Sequence, residues 1–383
     1  MTYRTRFQPR LEALDDRCVP SAAGRYAVGA GPGGPPRVQV YETANGTKLV
    51  DFQAFESSFT GGVTTAIGDV NNDGFPDLIV GAGAGGAPRV RVFNGADFTP
   101  AFNPNAPGAV LADFFAYEDS QRGGVNVATG NFVGGLFADL VIGAGPGGGP
   151  RVRILNGQAI TSQGRTFNSF TPGDTIADFF AFESTFRDGV TVAANTATIS
   201  LSSFSDLAVA PGIGGAPRVR LLNGLSISTL RQTFTSFGPN DTIADFFVGD
   251  STTRAGLYVA TADVSGDGVA DVITGTGPGI PALVTVFDGA AIRNKRGAFT
   301  GGQIGDVVTS FSPLTDYSNG VTVGTVNDLT TGTAMLLHGT GGAGFVSESI
   351  DSRIVFSNGF FTRVVVYDRV FDPNLLTGVN VSN

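Results

Sequence analysis

The sequence holds very few of the residues on which nucleophilic catalysis and covalent cross-linking depend. Of its 383 residues one is cysteine, one is histidine and none is tryptophan. The single Cys18 excludes an internal disulfide and leaves the rest of the chain without a thiol metal site. With His338 as the sole imidazole, there is no Cys–His pair and no GxSxG serine with a histidine to serve it. Lysine is confined to Lys48 and Lys295, so positive charge is carried almost wholly by arginine. Only 15% of residues are charged, the net charge is −9 and the pI is near 4.6. Nucleic acid and anionic membrane would both be repelled at long range and are excluded as natural partners. No apolar run approaches the roughly 18 residues of a membrane-spanning helix. Without tryptophan, stacking on sugar rings is left to phenylalanine and tyrosine.

Glycine is abundant, 56 residues, and 42% of the chain is hydrophobic, a composition that suits a large all-β repeat protein. The repeat is visible directly. A glycine-rich piece reads GAGPGGPPRV from Gly29, GAGAGGAPRV from Gly81, GAGPGGGPRV from Gly143, APGIGGAPRV from Ala210 and GTGPGIPALV from Gly275, a period of roughly 60 residues. A second piece closes each unit: DFQAFE from Asp51, DFFAYE from Asp113, DFFAFE from Asp178 and DFFVGD from Asp245. Between them lie short runs rich in Val, Ile and Phe, bounded by Gly, Pro, Asn or Asp, which is strand punctuation. One unit therefore predicts four strands, A (Val63 to Gly68), B (Asp77 to Gly81), C (Val90 to Asn94) and D (Leu111 to Glu118).

Four-stranded antiparallel units repeated along a chain predict an all-β fold of the β-propeller type. Units open at Val63, Val125, Val190, Leu257 and Val321, whereas the first starts at Tyr26 inside strand B and lacks strand A. The ending GVNVSN from Gly378 matches the strand A openings GVNVATGN from Gly124 and GVTVGTVN from Gly320. Six blades are expected, with the C-terminal strand completing the first. Residues 25–383 form this domain. Residues 1–24 precede it as a basic arm, carrying Arg4, Arg6, Arg10 and Arg17, with no apolar core of the kind a secretory signal needs.

The loops between strands A and B carry oxygen ligands at regular spacing. In DVNNDGFPD, Asp69, Asn71, Asp73 and Asp77 stand at positions 1, 3, 5 and 9, Gly74 permits the sharp turn, and the carbonyl of Phe75 completes a set suited to Ca²⁺. Asp263, Ser265, Asp267, the Val269 carbonyl and Asp271 repeat it. Position 12 holds Val80 or Thr274, and strands flank the loop, so neither is an EF-hand. The alternative is a metal-free Asp-Gly turn. The third unit keeps Asn131 and Asp139 but has Val133 and Gly135, and the fourth keeps Asp206, so two calcium sites are expected.

Strand A, then D-x-[DN]-x-D-G-x-x-D, then an apolar strand ending in Gly-Ala resembles the FG-GAP or VCBS repeat propellers, to which the head of integrin α subunits belongs. That resemblance implies a β-propeller, calcium in the A to B loops and a secreted or cell-surface binding role. The Phe-Gly dipeptide is missing at its expected place, GAP is replaced by GAG, and integrin heads have seven repeats, so no partner identity is carried over. Within the arm, RLEALDDRCVPS resembles the L-E-x-L-x-D-R-x-x-P-S segments that precede repeat domains in some bacterial extracellular proteins, which implies export.

Other readings follow from position in the repeat. GAGPGG satisfies a loose G-x-G-x-x-G, but Pro-Arg-Val-Arg after it begins a strand, whereas a phosphate loop opens a helix, so these glycines are read as positive-φ turn positions. Arg37, Arg89, Arg151 and Arg218 open strand C, while Glu56, Glu118, Glu183 and Asp250 close strand D. In the fifth unit both become leucine, Leu283 and Leu314, so unit-by-unit structural ion pairs are expected. Asp51, Asp113, Asp178 and Asp245, replaced by Thr309, are the rival partners. The D to A connections vary most, and Phe59, Arg122, Phe186, Arg187, Arg254 and Tyr317 are the candidate binding residues. The expected function is a non-enzymatic, calcium-stabilised extracellular module binding a protein or glycan. A carbohydrate-active propeller enzyme using Asp, Glu or Arg is the alternative, with the C to D loops as a rival surface.

Overall fold

The computed structural model describes residues 24–163, 166–167, 173–231, 234, 238, 240–313, 317–327, 334–340, 349–357, 360–368 and 379–382. Residues 1–23 of the arm, and Leu314, lie outside them. The first unit supplies β1 (Arg25–Ala30), β2 (Arg37–Glu42) and β3 (Lys48–Gln53), and the second β4 (Val63–Gly68), β5 (Asp77–Ala82), β6 (Arg89–Phe93) and β7 (Val110–Phe115). The third has β8 (Val125–Gly130), β9 (Asp139–Ala144), β10 (Arg151–Leu155), the short β11 (Thr166–Phe167) and β12 (Thr175–Phe180). The fourth has β13 (Val190–Ala194), β14 (Leu207–Pro211), β15 (Arg218–Leu222) and β16 (Thr242–Phe247), and the fifth β17 (Leu257–Ala262), β18 (Asp271–Thr276), β19 (Val284–Phe287) and β20 (Val307–Phe311). The sixth holds β21 (Val321–Asn327), β22 (Ala334–Thr340), β23 (Ser349–Ser357) and β24 (Phe360–Asp368), and β25 (Val379–Ser382) ends the chain.

The chain is an all-β propeller of five blades, not the six expected. Each of the first five units forms a sheet of four or five strands, while among the described residues β21 pairs only with β22 and β23 only with β24. The sixth unit has lost both the Pro-Arg-Val opening of strand C and the Asp-Phe-Phe of strand D. In their place stand two nine-residue strands. The C-terminal strand does complete the first blade: β25 pairs antiparallel with β1, Ala27 opposite Ser382 and Ala30 opposite Val379. The inner strands β4, β8, β13, β17, β21 and β25 follow one another around a narrow central channel.

Each sheet buries both faces against its neighbours, which is why the B strands are continuous apolar runs with no exposed side. All six residues of β5, β9 and β18 are buried. The core accordingly lies between blades. Val90, Val92 and Phe114 of the second pack with Val127, Leu140 and Ile142 of the third. Around the channel the second residue of one inner strand donates to the first carbonyl of the next: Thr64 Oγ1 to Val125, Asn126 Nδ2 to Val190 and Thr191 Oγ1 to Leu257, each at 2.8 Å.

The C to D loops are anchored to the blades at some positions and open at others, with Leu225, Leu230 and Ile304 exposed. Three contain seven-residue helices, α1 (Gly157–Gln163), α2 (Gly224–Leu230) and α3 (Gly289–Lys295), and Ile160, Ile227 and Ile292 on them are fully buried. Each of these loops then straps the preceding blade. Phe102 packs on Phe52 with ring centroids 5.0 Å apart, Phe234 on Phe179 at 5.0 Å and Phe299 on Phe246 at 4.8 Å, while β11 adds a parallel strand to the outer edge of β7. The straps cover edges that would otherwise template aggregation.

Candidate functional site

The strand C arginines do form ion pairs, but not with the partners expected. Arg151 stands opposite Phe180 on β12 and Arg153 opposite Asp178, so Asp178 faces one arginine and lies diagonal to the other. It takes both. Arg151 Nε and Nη2 reach its two oxygens at 2.7 and 2.8 Å, and Arg153 Nη2 reaches Oδ2 at 2.6 Å. Arg89 and Arg91 share Asp113 in the same way, and Arg218 and Arg220 share Asp245. Burial alone would raise the Asp113 carboxyl, but the Arg89 and Arg91 hydrogen bonds hold it below its usual range. In the first blade, where Gln39 replaces the second arginine, Asp51 is held by Arg37, Gln39 and Lys48.

The glutamates pair forward into the next blade. Glu56 bonds Arg89 at 2.9 Å, Glu118 bonds Arg151 at 3.3 Å and Glu183 bonds Arg218 at 3.2 Å. Asp250 has no such arginine because the next unit carries Leu283, and its carboxylate instead accepts from Thr252 N and Oγ1. The second arginines, which sequence reasoning passed over, tie the blades together. Arg91 donates to the Ala54 carbonyl at 2.7 Å, and Arg153 and Arg220 donate to those of Ala116 and Ala181. Both arginines of each pair lie over an aromatic ring of the preceding blade: Arg151 and Arg153 stand 5.1 and 5.3 Å from the centroid of Tyr117. In the fifth unit the register places Ser310, not Thr309, at the aspartate position. It lies 3.0 Å from Thr285, the counterpart of Arg153. That double change, PRVR to ALVT with Asp to Ser, was the signal available in the sequence.

In the acidic loops, Asp77 and Asp271 have a structural task. Asp77 is fully buried and accepts from Val70 N at 2.9 Å and Gly95 N at 2.8 Å. Asp139, Asp206 and Asp271 each repeat this, accepting from their own loop and from the glycine eighteen residues on, Gly157, Gly224 and Gly289. Those glycines admit no side chain, since a Cβ on Gly157 would fall 1.9 Å from the Ala138 carbonyl oxygen. Burial pushes the Asp77 and Asp271 carboxyls up to about 7, and Asp139 up to about 6 in a loop without other carboxylates.

Of the remaining donors, Asp73 and Asp267 are exposed, Asp69, Asn71, Asp263 and Ser265 are half-buried, and Val269 is buried. Asp73 N donates to Asp69 Oδ1 and Asn71 Oδ1 at 3.1 Å, Gly74 N to Asp69 Oδ2 at 2.9 Å, and Phe75 N to Asp73 Oδ1 at 2.8 Å. Gly74 has a φ of 87°. The fifth blade matches: Asp263 accepts from Gly266 and Gly268, and Asp267 from Val269. Hard oxygens of this kind, gathered within one turn, fit Ca²⁺ by donor chemistry. Among the described residues, however, no three acidic, His or Cys side chains converge on one centre.

At the opposite end of the blades, the glycine loops do use positive φ, 89° at Gly85, 89° at Gly147 and 101° at Gly214. Their N–H groups donate to the carbonyls of Arg122, Arg187 and Arg254 in the adjoining D to A connections, at 2.7, 2.6 and 2.8 Å. All three arginine side chains are exposed, whereas Phe59, Phe186 and Tyr317 are half-buried. Phe59 packs edge-on against Phe55, and Phe186 lies over Gly215. At the centre of this face is an apolar cup of about 120 Å³, bordered by Pro32, Ala84, Pro146 and Ile213. His338, the sole imidazole, is buried beside Phe311.

The fold defines a β-propeller, and within it residues 61–97, the A to B acidic loop and the two strands after it, match the FG-GAP repeat family. No curated protein matches the chain. Among solved structures it is similar to one described as the Dos1 propeller, at 12% identity and a TM-score of 0.42, over 87% of this chain and 65% of that one. It is also similar to a protein of unknown function from Bacteroides caccae, at 9% identity and a TM-score of 0.41, over 94% and 98% of the respective chains.

Two predictions follow from these pairs. In double-mutant cycles, Arg151→Leu with Asp178→Leu should show a coupling of about 1–3 kcal/mol. Arg151→Leu with Glu118→Leu should show about 0.5 kcal/mol or less, because Glu118 is largely exposed; equal couplings would refute the assignment. The second concerns pH. The folded chain holds the Asp139 proton more tightly than the unfolded chain, so this group's contribution is greatest below about pH 4, falls until about pH 6 and is level above. Denaturant unfolding across that range should show Asp139→Asn losing this slope, on the order of 2–3 kcal/mol. The variant should be less stable than the parent at pH 7, because an amide cannot accept from both sides.

Proposed function

We propose that the chain is a non-enzymatic, calcium-stabilised binding or adhesion module acting outside the cell, and that it meets a protein or glycan partner through the face formed by the D to A connections. One observation carries the reading. These connections share a backbone frame fixed by the glycine loops, yet their side chains differ from blade to blade, and Arg122, Arg187 and Arg254 take no part in the ion pairs that join the blades. A rigid frame presenting variable side chains is the arrangement that recognition uses. The export-type motif of the arm supports an extracellular setting. The acidic loops lie at the other end of the blades, where calcium would be held by Asp69, Asn71, Asp73 and the Phe75 carbonyl, and by Asp263, Ser265, Asp267 and the Val269 carbonyl. Asp77 and Asp271 would anchor each loop from its buried side. The ion would supply charge neutralisation and stability and take no part in binding.

The calcium part is checked by melting in EDTA and then in millimolar Ca²⁺. A ligand at a hundredfold excess over its dissociation constant adds about 2.7 kcal/mol, so the melting temperature should rise. Asp73→Ala with Asp267→Ala should abolish the rise and Asn131→Ala should leave it; no rise in the parent chain would remove calcium from the proposal. The binding part is checked with a glycan and cell-surface protein array. Arg122→Ala, Arg187→Ala and Arg254→Ala together should remove the hits at unchanged melting temperature. Turnover of a polysaccharide, or hits indifferent to the three changes, would overturn it.

A further inference from the structure

The three exposed arginines are held in one geometry. In each, Nη1 donates to two carbonyls of its own loop, at i−3 and i−1: Asp119 and Gln121 for Arg122, Ser184 and Phe186 for Arg187, Ser251 and Thr253 for Arg254. The loop is in turn fixed by a glycine N–H on the arginine's own carbonyl. An exposed arginine ordinarily loses much rotamer freedom when it binds, and here that loss has been met in folding. With Nη1 occupied, the guanidinium offers its other edge, Nε–H beside Nη2–H, the pair that grips a carboxylate with two parallel hydrogen bonds. The carboxylates nearest in sequence do not fill it. Asp250 is turned to Thr252, and Asp188 lies against Gly214 at the wall of the cup, where its carboxylate is part of the lining an acid-bearing sugar would meet.

We infer that this face binds a carboxylate-bearing glycan of the uronate type, its acid groups taken side-on by Arg122, Arg187 and Arg254 and one sugar ring resting on the apolar cup beside Ile213. The inference rests on the proposed role of this face and narrows it to one ligand class. Ile213 is 53% exposed at the rim of the cup, and with Pro32, Ala84 and Pro146 it presents the C–H surface a pyranose face requires. An acidic peptide fits less well, because an extended peptide is recognised largely through main-chain hydrogen bonds and the glycine N–H groups here are already used. Nucleic acid fits least, since a net charge of −9 opposes a polymer with one charge per roughly 1.7 Å of axis. A glycan with one carboxylate per ring meets less of that repulsion, and short-range contacts decide its binding.

The test is calorimetric titration of the whole chain with a short oligogalacturonate, with its methyl ester and with an oligoglutamate of similar length. The free acid should bind, and the other two should not. Each of Arg122→Gln, Arg187→Gln and Arg254→Gln should weaken binding roughly tenfold, the scale of one charge-assisted hydrogen bond. Arg187→Lys, which keeps the charge and disturbs the loop least, should also weaken it because an ammonium lacks the two-hydrogen edge. Absence of binding, equal binding of the ester, preference for oligoglutamate, or full affinity in the triple Gln variant would each overturn the inference. If the acid fails while an array partner binds and is lost on the same three changes, the ligand class is wrong and the binding face stands; if both fail, both readings fall.

Discussion

A carboxylate shared by two arginines in each of the second, third and fourth blades, whose arginines also reach the preceding blade, is the constraint on which this propeller's geometry turns. Burial is complete on the B strands and partial on strands C and D, so the polar groups there lie between a neighbouring blade and water. Asp113, Asp178 and Asp245 each accept from two guanidiniums, and those guanidiniums spend their remaining donors on the previous blade: its last glutamate, a backbone carbonyl and an aromatic face. Removing one member leaves a half-buried charge uncompensated, which is the expensive half of the bargain, whereas replacing the whole set can be nearly neutral. The fifth blade has taken the second route. Leu283, Thr285 and Ser310 occupy the three positions together, with one hydroxyl contact left between them.

A second repeated device shapes the opposite end. The buried aspartate that begins strand B fixes two turns at once, its own A to B loop and the start of the C to D strap, through a glycine that must lie against a carbonyl. The first blade departs in an informative way. Arg25 stands at this position in β1, and it reaches into the second blade, donating to the Pro76 and Gly95 carbonyls at 3.0 and 2.9 Å and lying over Phe75 and Phe98. A within-blade pin has become a between-blade one, at the boundary where the chain's first and last strands share a sheet.

Strands, repeat and ring closure were legible because each is written in local pattern: β-branched runs between glycines, a fixed period, and a C-terminal copy of strand A. Blade completeness was not, since the sixth unit keeps strand A and B patterning while losing the residues that pair strands C and D. The ion-pair partners were misread because adjacency in a unit was taken for contact, whereas the register puts Asp178 diagonal to Arg151 and brings Glu118 in from the preceding blade. The short helices hid behind Asn156-Gly157, Asn223-Gly224 and Asp288-Gly289, which read as turns until Ile160, Ile227 and Ile292 are seen buried four residues after the cap. Position 9 of an oxygen-rich loop and a structural pin carry the same residue at the same spacing, so the structural task of Asp77 is not visible in its own loop. Only its recurrence as Asp139 and Asp206, in loops that have lost the other donors, separates the two roles.

That separation bears on how the two ends of the propeller can change. At the acidic-loop end, the buried aspartates hold the backbone whether or not a loop retains its other oxygens, so those oxygens can be lost from one blade without unmaking its turn, as the third and fourth units illustrate. At the other end, the glycine N–H groups fix the D to A connections through backbone carbonyls, which every residue type provides. Side chains there can vary because the frame rests mainly on backbone contacts, and the three arginines that recur add hydrogen bonds within their own loops. A residue held in one conformation across successive blades, in a segment whose other side chains change and whose shape is already fixed by backbone contacts, stands where the proposed binding face would use it.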